Sequence, residues 1–139
     1  MGRVWILHKA FSTGDDPIYR SRLAVKTFDH TSELSAVERE LNIWISLVHP
    51  AIVPLLKIGR LNFRLAAIMP LMDGSLFDLL EAHGALGERQ TAGIMFRVVH
   101  ALAHAWKSAG VLHLDLKPQN ILYVSKNGYQ PLVSDWGIS

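Results

Sequence analysis

The sequence predicts an α+β fold, in which a small antiparallel sheet with one helix against it is followed by further helices and a hairpin. Three observations carry this. Runs rich in β-branched and aromatic residues (Val4–Phe11, Ile18–Phe28, Ile52–Gly59 and Phe63–Met72) suit strands, and the turn cluster Ser12–Pro17 separates the first two. Leu34, Val37, Leu41, Trp44 and Val48 recur at steps of three and four, the spacing of one helix face. From Ser75 onward, two helical stretches precede a strand, a turn and a strand.

The first two runs read as an antiparallel pair, with Ala24, Lys26 and Phe28 on one face of the second strand. Ser35–Glu38 matches a capping box that opens the amphipathic helix, and His49-Pro50 ends it. A short helix is expected over Ser75–His83. A longer one should run from about Glu88 to Ser108 and close on Gly110, a residue suited to a left-handed cap. Ile121–Val124 and Pro131–Ser134 then flank the turn "SKNGYQ".

Bulk properties exclude several classes. With 139 residues, half of them hydrophobic and 19% charged, the chain can bury a core and is not of disordered composition. A net charge of +2 without a dense basic patch argues against nucleic acid as the partner. There are no cysteines, so disulfides and thiolate metal sites are excluded. The apolar stretch Ala51–Met72 is broken by Lys57, Arg60 and Arg64, so no membrane span is expected. No secretory pattern opens the chain, and an intracellular, cytoplasmic protein is the expectation.

Three groups of residues could carry chemistry. Asn127-Gly128 is the preferred pair for a two-residue hairpin turn, and that register sets Asn120 opposite Asp135, with Cβ atoms roughly 4.5–5.5 Å apart. Two hard oxygen donors there could hold Mg²⁺ together with substrate phosphates, or form an ordinary polar cross-strand pair. Pro131 weakens the register, since it cannot donate to the ladder. Glu40 flanks the apolar stripe of its helix and needs a partner there, for which Lys26 is the candidate; a snorkelling Lys and a solvated Glu are the alternative.

In "HLDLKPQN", His113–Asn120, Asp115 could serve as a general base, Lys117 as a phosphate-binding cation and Asn120 as a metal ligand. General-base assistance supplies about 10²–10⁴ in rate, so such a site needs electrostatic help as well. The alternative is a polar loop after a helix. His100 and His104 stand one helical turn apart, but without a third ligand they read as packing or solvated histidines rather than a zinc site. The four tryptophans read as core.

Taken together, "LAVK", "ERELNIWISLVHPAIVPL", "HLDLKPQNIL" and "SDWG" resemble, in order and spacing, the signature motifs of the eukaryotic-type protein kinase family, in its Ser/Thr form. The resemblance implies a protein-kinase-like α+β fold: residues 1–72 as a partial small lobe and hinge, and 73–139 as the start of the helical lobe through the Asp-Trp-Gly turn. It implies ATP and Mg²⁺ as cofactors and a Ser/Thr hydroxyl of a protein as acceptor. Lys26 would hold the α/β-phosphates and pair with Glu40. Asp115 would orient and deprotonate the hydroxyl, Lys117 would touch the γ-phosphate, and Asn120 and Asp135 would hold Mg²⁺. "AIMPLMDGSL" resembles the hinge: Met69 at the gatekeeper position, the Pro70 carbonyl and Met72 N–H reading adenine, and Val4, Ala24 and Leu122 enclosing the base. Trp44, Leu55, His113 and Trp136 match the family's internal regulatory column.

The sequence departs from the family pattern in places. Leu114 replaces the Arg that pairs with a phosphorylated activation loop, so any activity is expected not to depend on that phosphorylation. Trp136 replaces Phe. Gly2 aligns with the last glycine of the nucleotide-covering loop, and Ser139 stands two residues past the Asp-Trp-Gly turn. The chain is therefore expected to be a partial domain with little activity alone. Apolar residues of the long helix, Val98, Val99 and Leu102, would be exposed to a docking partner. Two other readings stand beside the kinase: a non-catalytic nucleotide-binding module, and a small-molecule phosphotransferase, against which Lys117 and Gly137 argue.

Overall fold

A computed structural model describes residues 3–7, 22–29 and 33–137. Strands β1 (Arg3–Leu7), β2 (Leu23–Thr27), β3 (Lys57–Leu61) and β4 (Arg64–Pro70) form one antiparallel sheet in the order β1-β2-β4-β3. The expected pairing of the first two strands is present, with Val4 opposite Lys26; the side chain of Val4, the turn cluster Ser12–Pro17 and residues 18–21 lie outside the described residues. All of β2 is buried, because β1 and β4 flank it and apolar side chains fill both of its faces. Asn62-Phe63 joins β3 to β4 as a two-residue turn with both residues at positive φ (49° and 64°), the conformation that follows the twist of a hairpin.

Helix α1 (Leu34–Ser46) buries Val37, Glu40, Leu41 and Trp44. Two details differ from the sequence expectation. Ser35 does not cap the helix: Glu33 takes that place, and its carbonyl accepts from the N–H groups of Ala36 and Val37 at 3.0 and 3.2 Å. Leu34 and Val48 are exposed, since the helix starts at one and ends before the other, leaving neither a sheet surface to cover. Residues 52–56 do not form a strand. Instead Ile52 makes a parallel bridge to Val133, the Val53 N–H donates to the Val133 carbonyl at 3.0 Å, and the Val133 N–H donates to the Ala51 carbonyl at 2.8 Å. That seam joins the two halves of the chain through one core, from Ala24 and Trp44 to Val98 and Trp136.

The second half has β5 (Gly74–Ser75), α2 (Leu76–His83), α3 (Glu88–Ala109), β6 (Ile121–Ser125) and β7 (Tyr129–Val133), with a three-stranded sheet in the order β5-β6-β7. Ser75 caps α2 in a full capping box: its hydroxyl accepts from the Asp78 N–H, and the Asp78 carboxylate accepts from the Ser75 N–H. Gly110 ends α3 at φ 65°, the left-handed cap the sequence calls for. Helix α3 buries Ile94, Val98, Ala101 and Ala105, at helical steps, and packs against β7. Val98 is thus fully buried and Leu102 partly so, contrary to expectation, while Val99 on the far side is 55% exposed together with Met95, Phe96 and Trp106. Of the described tryptophans, Trp44 and Trp136 are core and Trp106 is not.

The β6–β7 hairpin corrects the expected register. Ile121 pairs with Val133 and Ser125 with Tyr129, so the loop is three residues, Lys126–Gly128, rather than two. Asn127 and Gly128 both take positive φ (53° and 94°), but the Lys126 N–H bonds across to the Gly128 carbonyl at 3.0 Å, drawing Lys126 into the turn. The one-residue shift places Ser134, not Asp135, beside Asn120: the Ser134 N–H donates to the Asn120 carbonyl at 2.9 Å.

Candidate active site

Lys26 is the centre of the arrangement. Strand β2 carries it into the core, where water cannot solvate its ammonium. Its Nζ forms an ion pair with Glu40 of α1, and both side chains are only 11% exposed. Asp135, just after β7, lies 3.6 Å from the same Nζ, and the Phe28 ring centroid is 5.1 Å away. One cation is therefore shared by carboxylates from two distant parts of the chain. The reading of Glu40 as a partnered carboxylate holds, and Asp135 as a second partner was not foreseen.

Asp135 reaches Lys26 because its φ is 63°, an uncommon value for a residue other than glycine. The turn closes tightly beneath it. A Cβ on Gly137 would lie 3.0 Å from Glu40 Oε2 and 3.3 Å from Asp135 Oδ1, so any larger residue would push the two carboxylates back by a few tenths of an ångström. The sequence singled out Gly137 only as arguing against a small-molecule phosphotransferase; its place between the two carboxylates was not expected.

The loop 113–120 is organised by two groups. The Asp115 N–H donates to His113 Nδ1 at 3.2 Å, and His113 Nε2 lies 2.8 Å from the Ser134 carbonyl. The buried His113 ring also meets Trp136 edge-on at 4.6 Å. With Nδ1 accepting, Nε2 is the protonated nitrogen and donates to Ser134, so a neutral imidazole ties the loop to the residue before Asp135. This positioning role of His113 was not legible in the sequence. On the other side, Asn120 Nδ2 donates to the Asp115 carbonyl at 2.8 Å and to Asp115 Oδ2 at 3.2 Å. Lys117 Nζ stands 3.5 Å from Asp115 Oδ2, with both side chains partly in water. Leu114 is exposed at φ 64°.

Asn120 and Asp135 do not face each other across the ladder, which removes the geometric argument first made for them as a pair. Their donor chemistry still suits Mg²⁺. Asn120 spends its amide nitrogen on Asp115, leaving the amide oxygen, and Asp135 offers a 42% exposed carboxylate. Among the described residues no cluster of three or more His, Cys, Asp or Glu could hold a metal by itself. An ion here would take part of its shell from water and phosphate, as Mg²⁺ does.

The hinge candidates lie at the junction of the two sheets. Ala24 pairs with the buried Met69 and Leu23 with Pro70, and the Leu71 N–H donates to the Arg22 carbonyl at 3.1 Å. The Asp73 N–H donates to the Tyr123 carbonyl at 2.9 Å, while the Asp73 carboxylate accepts from the Ser125 N–H at 2.7 Å. Met72 is thereby held between two pinned neighbours. Leu122, opposite Ser75, is half-buried. Burial, then the charges of Asp73 and others, pushes the Tyr123 phenol above its usual range, so it stays neutral and donor-competent.

The structure thus sets a small antiparallel sheet with a buried Lys–Glu pair beside a helical unit whose β6–β7 hairpin is flanked by Asn120 and Asp135. The chain belongs to the protein kinase family: the family description "Protein kinase domain" matches residues 13–139. It is 34% identical over 120 residues to calcium-dependent protein kinase 5 of Plasmodium berghei (strain Anka), covering 84% of this chain and 21% of that protein. Similarity to human calcium/calmodulin-dependent protein kinase type IV is 29% over 140 residues, covering 99% of this chain and 28% of that one. With calcium-dependent protein kinase 1 of Oryza sativa subsp. japonica the identity is 36% over 137 residues, covering 96% and 26%. The chain thus spans about a quarter of the length of these curated relatives. No helix among the described residues is long and apolar enough to cross a membrane.

Proposed function

We propose that this chain carries the nucleotide site and catalytic loop of an ATP-dependent Ser/Thr protein kinase, residues 1–72 serving as the small lobe and hinge and 73–139 as the start of the helical lobe. The observation that carries the reading is the sharing of Lys26 between Glu40 and Asp135. An ammonium held by Glu40 is oriented in advance for phosphate oxygens and costs little reorganisation when nucleotide binds. Mg²⁺, when bound, neutralises phosphate charge as it develops. Asn120 and Asp135 are the residues that would hold it. Asp115, fixed through His113 and Asn120, orients the acceptor hydroxyl and takes its proton, and Lys117 adds positive charge beside the transferring phosphoryl group. The Pro70 carbonyl and Met72 N–H are the adenine-reading groups, with Val4, Ala24, Met69 and Leu122 around the base. An intracellular, cytoplasmic setting accords with ATP as the phosphoryl donor.

The test is transfer of label from γ-labelled ATP to a Ser/Thr peptide mixture, run with the native protein that contains this sequence. Transfer that falls at least about 10²-fold in Asp115→Asn, with folding unchanged, supports the reading. Equal transfer by wild type and Asp115→Asn overturns it. A second reading, a nucleotide-binding interaction module, is favoured by the exposed apolar face of α3 at Met95, Phe96, Val99 and Trp106. Nucleotide binding with no transfer by the native protein would select it.

A further inference from the structure

Among the described histidines outside the site, three lie near one another. His49 follows α1, in the segment that makes the seam with β7; His100 and His104 stand on α3. The His49 and His104 rings are 5.0 Å apart and tilted by 38°, and both residues are half-buried. His100 is exposed, with its ring 4.4 Å from that of Phe96. The backbone fixes the proton arrangement of His49: the Ala51 N–H donates to His49 Nδ1 at 3.0 Å, so Nδ1 must be unprotonated.

We propose that His49 and His104 form an acid-sensitive latch, in which a neutral His49 holds the 49–53 segment against α3 and β7, and protonation of His49 releases it. Two physical consequences of one proton act in the same direction. An imidazolium has two donors and no acceptor, so Ala51 loses its partner. The new charge also sits beside two other histidines. Among the described residues no carboxylate forms an ion pair with His49; those of α1, Glu38 and Glu40, lie eleven and nine residues before it, with Arg39 between them, and Glu40 is engaged by Lys26. From Leu41 to Leu56 His49 is the only ionisable residue, and β7 carries no carboxylate. Helix α3 carries Arg89, Arg97, His100, His104 and Lys107; its one carboxylate, Glu88, is sixteen residues from His104, about 24 Å along the axis. Burial first, then the charges of His104 and His100, lowers the His49 pKa from 6.5.

The direction of the pH dependence follows. The closed latch resists protonation that the open one accepts, so the latch is intact above pH about 6.5 and weakens as pH falls below it, towards the lowered value. Within that window up to one proton is taken up on opening, so the opening equilibrium rises by at most about tenfold for each pH unit of acidification. The latch segment reaches the site through two hydrogen-bonded neighbours, α1 and β7. The Trp44 indole Nε1–H of α1 donates to the Val53 carbonyl at 2.7 Å, one turn after Glu40, and β7 runs from the seam directly into Ser134 and Asp135. The inference concerns the fold and holds whether or not the chain transfers phosphate.

The test is amide hydrogen exchange at Ala51 and Val53 in the full chain, corrected for intrinsic exchange, together with NMR titration of the His49 ring. The expected result is a His49 midpoint below 6.5 and an opening constant at these amides that rises as the pH falls through the window, by at most about tenfold per pH unit. His49→Asn, which offers an acceptor oxygen in place of Nδ1 and cannot titrate, should keep the protection and lose the pH step. His104→Gln, which leaves the His49–Ala51 bond in place, should raise the His49 midpoint. A His49 midpoint at or above 6.5, or the same pH step in His49→Asn as in wild type, overturns the latch.

Discussion

The buried pair Lys26–Glu40 makes a quantitative prediction that separates stability from function. Replacing one member of a buried ion pair leaves an uncompensated charge in the core and costs about 3–5 kcal/mol. The two members are not equivalent here. Lys26→Met strands Glu40, which has no second cation within ion-pair distance among the described residues, so the full ~3–5 kcal/mol applies. Glu40→Met leaves Lys26 with Asp135 at 3.6 Å, a charge-assisted contact that offsets about 1.5–3 kcal/mol, so the cost falls to roughly 1–3 kcal/mol. The double replacement Lys26→Met/Glu40→Met fills the same space with apolar side chains and removes both desolvation costs. Its stability should lie within about 1 kcal/mol of wild type, or above it. Urea unfolding followed by tryptophan fluorescence gives all four corners of the cycle. If the double mutant instead loses several kcal/mol, about as much as Lys26→Met alone, the pair is a net source of stability and its retention needs no role for its charge.

Further outcomes follow from the same structure. Trp44 and Trp136 are both buried, but the Trp44 Nε1–H donates to Val53 whereas the Trp136 Nε1–H has no partner among the described residues. Trp44→Phe should therefore cost at least about 2 kcal/mol more than Trp136→Phe in urea unfolding, since one loses a bond and the other sheds an orphaned donor. Phe63 is 95% exposed and held at φ 64°, where a bulky side chain is strained. Phe63→Gly should raise stability by up to about 1 kcal/mol, read as a higher urea midpoint with an unchanged slope. An unchanged or lowered midpoint would show that the turn is not strained by its side chain.

Much of the fold was legible because local chemistry and tertiary demand agreed. Ser75 and Gly110 bound their helices as their capping chemistry requires, and Lys26 and Glu40 met because an ionisable group beside an apolar stripe needs an opposite charge. The hairpin register was not legible. Asn-Gly accepts positive φ in loops of more than one length, and the choice fell to the Lys126–Gly128 hydrogen bond and the burial of Val133, which depends on the rest of the fold. The start of α1 was misplaced for a related reason: a backbone carbonyl at Glu33 satisfied the first donors, so the Ser35 side chain was not needed. At the site, the resemblance implied the stacking of His113 with Trp136, but the His113–Ser134 contact and the approach of Gly137 to Glu40 join segments far apart in sequence, which no motif spacing reports.

The metal role of Asp135 is decided by the affinity of a fluorescent ATP analogue for the chain, with and without Mg²⁺, in wild type and in Asp135→Asn. Binding should weaken at least about tenfold when Mg²⁺ is removed, and Asp135→Asn should lose that Mg²⁺ dependence with folding intact. Equal affinity in all four conditions would contradict that role, because the carboxylate beside Lys26 would then have no part in holding a metal–nucleotide complex.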